Sequence, residues 1–239
     1  MDKKLILITN DDGIDAPGIK QLAEEALRYG DVYVVAPDGQ RSAMSHSITC
    51  KEPIKVWEYD MQIEGVTAYA CSGTPADCVN IGVKQLLPRT PDYVFSGINK
   101  GYNISSDVQY SATIGAAFEG RHLGIHSIAF SRGAGDCKEV CDRYLTEMME
   151  YCMENPQGRN QVWSINFPEC TLAECKGIKT GTVVFTDGFY DDSYSKESEE
   201  AGVKGYRISS KRIWDAPEGT DLRAIIDNYV SVGFVNNVS

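Results

Sequence analysis

The segment KLILITNDDGIDAPGIKQLAEEALRYGDVYVVA, residues 4–36, carries the strongest indication of the fold. Its opening run, LILI, is short, apolar and non-alternating, which is typical of a buried parallel strand. Apolar residues then recur at positions 19, 22, 23 and 26, with Pro17 suited to a first helical turn and Gly30 to a C-terminal stop. Residues 32–36 form a second apolar strand. The segment therefore predicts a βαβ unit with a right-handed crossover.

The same alternation of strands and helices continues to about residue 168. The stretch GTPADCVNIGVKQLLP predicts a helix with Thr74 as its N-cap, and DYVFSGIN predicts another buried strand. A doubly wound, mainly parallel α/β sheet follows, within a single domain of residues 1–239. The polar segment 186–210 predicts a protruding hairpin, an oligomer arm or a mobile flap. A short helix capped by Thr220 then leads into a last strand.

Composition excludes several classes of partner. The 239 residues carry 34 acidic and 23 basic side chains, a net charge of −11. Such a surface does not bind nucleic acid or an anionic membrane by charge, and an anionic substrate needs a local positive site. The first apolar run is shorter than a secretory segment, and no run approaches a membrane span of ~18 residues. Eight cysteines without a C-x-x-C pair indicate a reduced, cytoplasmic protein.

Polar side chains gather where the predicted strands end, which is where open α/β sheets bind ligands. They are Asp11 and Asp12 after the first strand, Arg41, Ser42, Ser45 and His46 after the second, and Asn99 after DYVFSGIN. Carboxylate, hydroxyl and amide oxygens suit Mg²⁺, Mn²⁺ or Ca²⁺. Both acids reach one ion only if the backbone turns after Asp12, which Gly13 makes easy. The alternative is that NDDG is a simple polar turn.

The segment GINKGYNISSDVQYSATIGAA predicts an anion site. A Gly- and Ser-rich loop enters a helix with Ser111 as N-cap, whose free N–H groups and dipole attract phosphate. Asn103, Ser111 and Thr113 add side-chain donors, although simple capping by Ser111 is the alternative. Arg41 steers an anion or stays a solvated loop residue. His46 contacts phosphate, protonates a leaving group or only holds its loop.

Four blocks in order, ILITNDDGIDAPGI, VVAPDGQRSAMSHSIT, CSGTPADCV and SGINKGYNISSDVQYSATIGAAFEG, resemble the SurE (survival protein E) family. The resemblance implies a metal-dependent 5′/3′-nucleotidase, and some members of that family also cleave polyphosphate. It implies a Mg²⁺- or Mn²⁺-type ion on Asp11, Asp12, Ser42 and Asn99. Phosphate contacts are implied around Asn103, Ser111 and Thr113. A Rossmann-like core with a C-terminal extension, and homodimers or homotetramers formed through swapped C-terminal elements, are implied too.

The chain departs from the resembled family at a few places. Ala43 and Ala112 stand where the family commonly has glycine, so the geometry of the phosphate loop is expected to differ slightly. The polar arm lacks the family's basic, proline-containing stretch. The chain ends in VGFVNNVS rather than the usual type of ending. None of these departures removes an expected metal ligand.

The expected activity is hydrolysis of nucleoside monophosphates by metal-activated water, with one divalent ion per subunit. Asp11 and Asp12 anchor the ion, and one of them assists as base. An aspartyl-phosphate intermediate is a rival mechanism. Rivals of another class are a nucleotide-binding module without turnover and a non-catalytic scaffold. No G-x-G-x-x-G follows the first strand, which disfavours a dinucleotide site.

Overall fold

A nine-stranded sheet forms the centre of the computed structural model, which describes residues 3–237. Its strands are β1 (Lys4–Thr9), β2 (Gly30–Pro37), β3 (Val56–Glu58), β4 (Val66–Cys71), β5 (Tyr93–Lys100), β6 (His126–Arg132), β7 (Gln161–Phe167), β8 (Ile178–Thr182) and, after a separate hairpin, β11 (Val230–Asn236). Their order is β3-β4-β2-β1-β5-β6-β7-β11-β8. The β3–β4 and β7–β11 pairs are antiparallel and the other pairs parallel, so the mainly parallel sheet was predicted correctly.

Five α-helices accompany the sheet in the described range. They are α1 (Pro17–Ala26), α2 (Pro75–Ile81), α3 (Ala112–His122), α4 (Glu139–Glu154) and α5 (Asp221–Ile226). The predicted apolar face of α1 is buried. At the start of α2, Thr74 and Asp77 form a reciprocal capping box. No helix in residues 3–237 is long and apolar enough to cross a membrane.

Two boundaries differ from the predictions. Helix α1 ends at Ala26, and Gly30 begins β2 instead of terminating the helix. Helix α2 was expected to continue through residue 87, but a π-helical turn replaces its second half at Gly82–Leu86. Gly82 begins this turn and packs closely on the sheet, since a Cβ there would lie 3.0 Å from a methyl group of Leu7. The local pattern does not show this contact with the sheet.

The core has two layers, one on each side of the sheet. Ile6 and Ile8 of β1 share a buried cluster with residues of α1 and α4. Leu7, which points to the opposite face, packs with Val79 of α2 and Ala116 of α3. Helices therefore cover both faces, as a doubly wound sheet requires. All eight cysteines are free thiols, and five of them are buried.

The polar segment forms a hairpin outside this core. Strands β9 (Tyr190–Glu200) and β10 (Val203–Arg212) pair antiparallel in a sheet of their own. All of their residues are exposed except half-buried Gly205. The hairpin closes at its base, where the N–H of Ile213 donates to the carbonyl oxygen of Phe189 at 2.8 Å. The predicted α/β fold class is confirmed, and the polar segment forms a hairpin, one of the predicted alternatives.

Candidate active site

A tight turn after β1 carries the two adjacent carboxylates. The side-chain amide of buried Asn10 donates to the carbonyl oxygen of Gly13 at 2.9 Å. Gly13 has a φ of +100°, and a Cβ there would lie 3.1 Å from the backbone of Gly39. Glycine tolerates both the left-handed conformation and the close approach. The backbone thus changes direction directly after Asp12, which is the bend that lets neighbouring acids face one ligand.

The two carboxylates have different surroundings. Asp11 is only 4% exposed and accepts a hydrogen bond from the hydroxyl of Thr113 at 2.7 Å. Half-buried Asp12 accepts one from the backbone N–H of Lys100 at 3.0 Å. Burial raises the pKa of Asp11 to about 6, against the opposing hydrogen bond from Thr113 and with help from the charge of Asp12. Burial therefore disfavours the ionised form of Asp11, and a nearby positive charge would favour it.

The loop after β2 is held against this turn. The N–H of Arg41 donates to the carbonyl oxygen of Asp11 at 2.7 Å. Ser42 follows directly, and its exposed hydroxyl accepts a hydrogen bond from the side chain of Gln40 at 3.1 Å. This backbone hydrogen bond holds the ends of β1 and β2 next to each other, as the sequence predicts.

Left-handed conformations shape the same loop. The φ angle is +58° at Ala43 and +54° at Ser45. A non-glycine residue is strained in this region, and such strain collects at ligand-binding segments. Ala43, where the resembled family commonly has glycine, therefore holds a conformation that suits glycine better.

An irregularity in β5 presents Asn99. The pairing of β5 with β6 shifts register between Ser96 and Asn99, and such bulges redirect side chains. The Nδ2 of Asn99 donates to the carbonyl oxygen of Gly101 at 2.9 Å, which leaves Oδ1 available for another partner. Helix α1 packs close to this strand end, because a Cβ at Gly18 would clash with the carbonyl oxygen of Ile98.

The start of α3 lies beside Asp11 through Thr113. Ser111 is the N-cap, as predicted: its hydroxyl accepts from the N–H of Ile114 at 3.1 Å, and its carbonyl oxygen accepts from Gly115 at 3.0 Å. The N–H groups of Ala112 and Thr113 precede these bonds and have no acceptor within the helix. They form the positive end of the helix dipole.

Oxygen atoms suited to a hard cation remain at these strand ends. Within residues 3–237, no hydrogen bond from another residue reaches Oδ2 of Asp11, Oδ1 of Asp12 or Oδ1 of Asn99. With the hydroxyl of Ser42 they make a set of carboxylate, amide and hydroxyl donors that fits Mg²⁺ or Mn²⁺. The described residues hold no cluster of three or more His, Cys, Asp or Glu side chains suited to a metal. Any site here therefore depends on this mixed oxygen set.

Two other predicted substrate contacts have protein partners. Asn103 is buried, and its side chain donates to the hydroxyl of Ser131 at 2.8 Å. Its N–H donates to the side chain of Asn166 at 2.9 Å. Arg41 donates to Asp38 at 2.7 Å. The roles of Asn103 and Arg41 toward phosphate stay predictions.

His46 belongs to a hydrogen-bonded group centred on Glu119, a residue that the sequence analysis missed. Its Nε2 lies 2.7 Å from one carboxylate oxygen of Glu119, and Asn80 donates to the other at 2.6 Å. Burial opposes ionisation, but the hydrogen bonds from His46 and Asn80 outweigh it and lower the pKa of Glu119. One turn earlier on α3, a Cβ at Gly115 would clash with the backbone of Ser45. A lone acid in a helix of small residues could have pointed to Glu119.

Asp221 is a second buried acid that the sequence analysis missed. Its carboxylate accepts from the N–H groups of Ser105 at 2.9 Å, Phe185 at 3.1 Å and Leu222 at 2.7 Å. Burial raises the pKa of Asp221 to about 6 against these hydrogen bonds. Asp221 therefore joins α5 to the turn before α3 and to the segment before the hairpin. In the sequence it looks like an ordinary acid in a first helical turn.

The chain is similar in sequence to known proteins over most of its length. A family model described as survival protein SurE matches residues 6–187. A protein of Clostridium botulinum (strain ATCC 19397 / Type A) named 5′-nucleotidase SurE is 39% identical over 231 residues, 95% of this chain and 90% of that protein. A protein of the same name from Flavobacterium johnsoniae is 37% identical over 235 residues, 97% of this chain and 90% of that protein.

A solved structure agrees with the fold. The crystal structure of the Sure protein from Aquifex aeolicus matches with a TM-score of 0.82 and 34% identity. The match covers 98% of this chain and 94% of the other. The α/β architecture predicted from the sequence is therefore found in a solved protein of similar sequence.

Proposed function

The chain belongs to the survival protein SurE family, and from this premise we propose that it hydrolyses nucleoside 5′- and 3′-monophosphates to nucleoside and phosphate. It is thus a nucleotidase, a phosphoric monoester hydrolase. Support comes from relatives 37–39% identical, each named 5′-nucleotidase SurE. Metal dependence and the cleavage of polyphosphate are further parts of the proposal.

One divalent ion per subunit, of Mg²⁺ or Mn²⁺ type, would be held by Asp11, Asp12, Ser42 and Asn99. The observation that carries this part is the cross-linking of the three strand ends. The N–H of Arg41 ties the Ser42 loop to the backbone carbonyl oxygen of Asp11, and the N–H of Lys100 ties the end of β5 to the carboxylate of Asp12. When bound, such an ion supplies electrophilic activation of a phosphate ester and of water.

The protein groups have distinct tasks in this reaction. The hydroxyl of Thr113 orients Asp11, and either Asp11 or Asp12 accepts the proton of the attacking water. The free N–H groups of Ala112 and Thr113, with the N-cap Ser111, receive phosphate oxygens at the positive end of α3. His46 and Arg41 are bonded to Glu119 and Asp38, which supports roles in holding their loop.

The quaternary structure is proposed to be a homodimer or homotetramer formed through C-terminal elements. Its support is the hairpin, where Tyr194, Val203 and Tyr206 are 70%, 73% and 59% exposed. Exposed apolar side chains of this size on one projecting element mark interaction surfaces. Light scattering behind a sizing column measures the assembly. The cytoplasmic location expected from the sequence stays a prediction.

Phosphate release from nucleoside 5′- and 3′-monophosphates and from polyphosphate, with Mn²⁺ or Mg²⁺, tests the function. Activity is expected with either metal and is expected to disappear with EDTA and in Asp12→Ala. Asp31→Asn, an exposed acid at the start of β2, is the matched control that keeps full activity. Nucleotide binding without phosphate release above these controls would support the binding-module alternative. Trapping of a covalent phosphoenzyme would favour the aspartyl-phosphate mechanism.

A further inference from the structure

Two large exposed side chains flank the candidate site. Tyr110 is 67% exposed and directly precedes the N-cap Ser111. Met44 is 41% exposed and lies two residues after Ser42. One stands beside the proposed phosphate donors and the other beside a proposed metal ligand. Both exposed side chains therefore lie next to residues of the candidate site in the chain.

Backbone contacts hold these two positions together. The N–H of Ser45 donates to the carbonyl oxygen of Tyr110 at 3.0 Å, and its hydroxyl donates to the carbonyl oxygen of Gln109 at 2.5 Å. Met44 lies between the left-handed residues Ala43 and Ser45. The loop is therefore joined to the start of α3 next to both exposed side chains, whose backbone positions the fold determines.

We propose that Tyr110 and Met44 form the platform on which the nucleobase of the substrate rests. The inference rests on the proposed function and adds to it the subsite for the base. Tyr110 directly precedes the residues whose N–H groups are proposed to hold the phosphate, so the nucleoside attached to that phosphate is expected near Tyr110. The flat, uncharged base is the part of the substrate that suits an aromatic and thioether surface.

Stacking of this kind favours nucleotides over other phosphate esters without choosing strongly among bases. Every base has a π-face, and the contact does not read the hydrogen-bonding edge of the base. We therefore expect similar gains from purines and pyrimidines. A substrate that keeps the sugar phosphate and lacks the base loses the contact entirely.

The test compares adenosine 5′-monophosphate, uridine 5′-monophosphate and ribose 5-phosphate in wild type, Tyr110→Ala, Tyr110→Phe and Met44→Ala. In Tyr110→Ala, kcat/KM is expected to fall about tenfold for both nucleotides, chiefly through KM, and less than about twofold for ribose 5-phosphate. Tyr110→Phe keeps the ring and the activity. Met44→Ala shows a smaller loss with the same selectivity. Trp57→Ala, at an aromatic residue 45% exposed on the edge strand β3, is the control without effect.

Equal losses for nucleotides and ribose 5-phosphate would overturn the inference, since Tyr110 would then act on the phosphate site. Unchanged kinetics would overturn it too. So would a changed molecular mass of Tyr110→Ala in light scattering, since Tyr110 would then be a contact between copies. Calorimetric binding of the same three compounds with Mn²⁺ decides the matter if no hydrolysis occurs. In that case the proposed function fails, while a tenfold weaker nucleotide affinity in Tyr110→Ala still supports the platform.

Discussion

The carboxyl edge of the sheet and the β9–β10 hairpin differ in what holds them. At the edge, Asp11 is buried and bonded to Thr113, 102 positions away in the chain. In the hairpin almost every residue is exposed, and the strands pair with each other alone. A hairpin of two strands is marginal in water unless something packs on it. The edge is therefore held by contacts with distant parts of the chain, whereas the hairpin has few such contacts.

Substitutions in the two regions are therefore expected to have different effects. A change at the edge alters groups that several elements position together, so its effect on activity is large and specific. A change in the hairpin alters exposed groups with few neighbours, so its effect on the core is small. Substitutions in each region test this contrast.

The largest effect is expected from Asp11→Asn. Its oxygen still accepts the hydrogen bond from Thr113, but the charge needed to hold a cation is lost, so kcat/KM falls about a thousandfold. The free energy of unfolding without metal rises by about 1 kcal/mol, because a buried charge beside Asp12 is removed. Phosphate release and urea denaturation measure the two quantities. A loss of both activity and stability would contradict the separation of site and fold.

The pH dependence of the free energy of unfolding tests the contribution of Asp221, which joins α5 to the turn before α3 and to the segment before the hairpin. Its pKa is about 6 in the folded state and about 3.9 when unfolded. The folded state therefore binds more protons between these values, and the contribution of Asp221 to stability falls as the pH rises from 4 to 6, by about 2–3 kcal/mol. Asp221→Asn does not titrate. Urea denaturation at several pH values is expected to show this slope in wild type relative to the variant, and parallel curves would contradict it.

Substitution of Glu119 is expected to have an effect of intermediate size on activity. Glu119→Gln weakens the contact with His46 that anchors the loop of Ser42 to α3, so the metal concentration for half-maximal activity is expected to rise about tenfold. The fold remains, because Gln keeps the volume and one acceptor oxygen. Metal titration of the activity provides the measurement, with Glu147→Gln on the exposed face of α4 as the control. An equal shift in the control would remove the special role of Glu119.

The smallest effect on the core is expected from the hairpin. Replacing residues 190–212 by a short Gly-Ser linker changes the free energy of unfolding of the remaining chain by less than about 1 kcal/mol, because the hairpin adds little to the core. The molecular mass in solution is expected to fall if the hairpin contributes to assembly. Denaturation and light scattering measure these effects. Unfolding of the core would show that the hairpin belongs to it.

The sequence predicts most of what local pattern and topology determine. The β1-α1-β2 unit follows from apolar spacing, and the meeting of Asp11, Ser42 and Asn99 at one edge follows from parallel strands. Contacts between distant segments were not predictable, since no local pattern encodes them. The commitment of the Thr113 hydroxyl to Asp11 and the three hydrogen bonds of Asp221 are of this kind.

The hydrogen bond between Ile213 and Phe189 makes the hairpin a side branch, because the chain leaves and returns at one point. Insertions or deletions between these residues do not alter the path of the chain through the core. For the same reason, the tip at Ala201 and Gly202 is a suitable place to graft a peptide tag or a whole second domain.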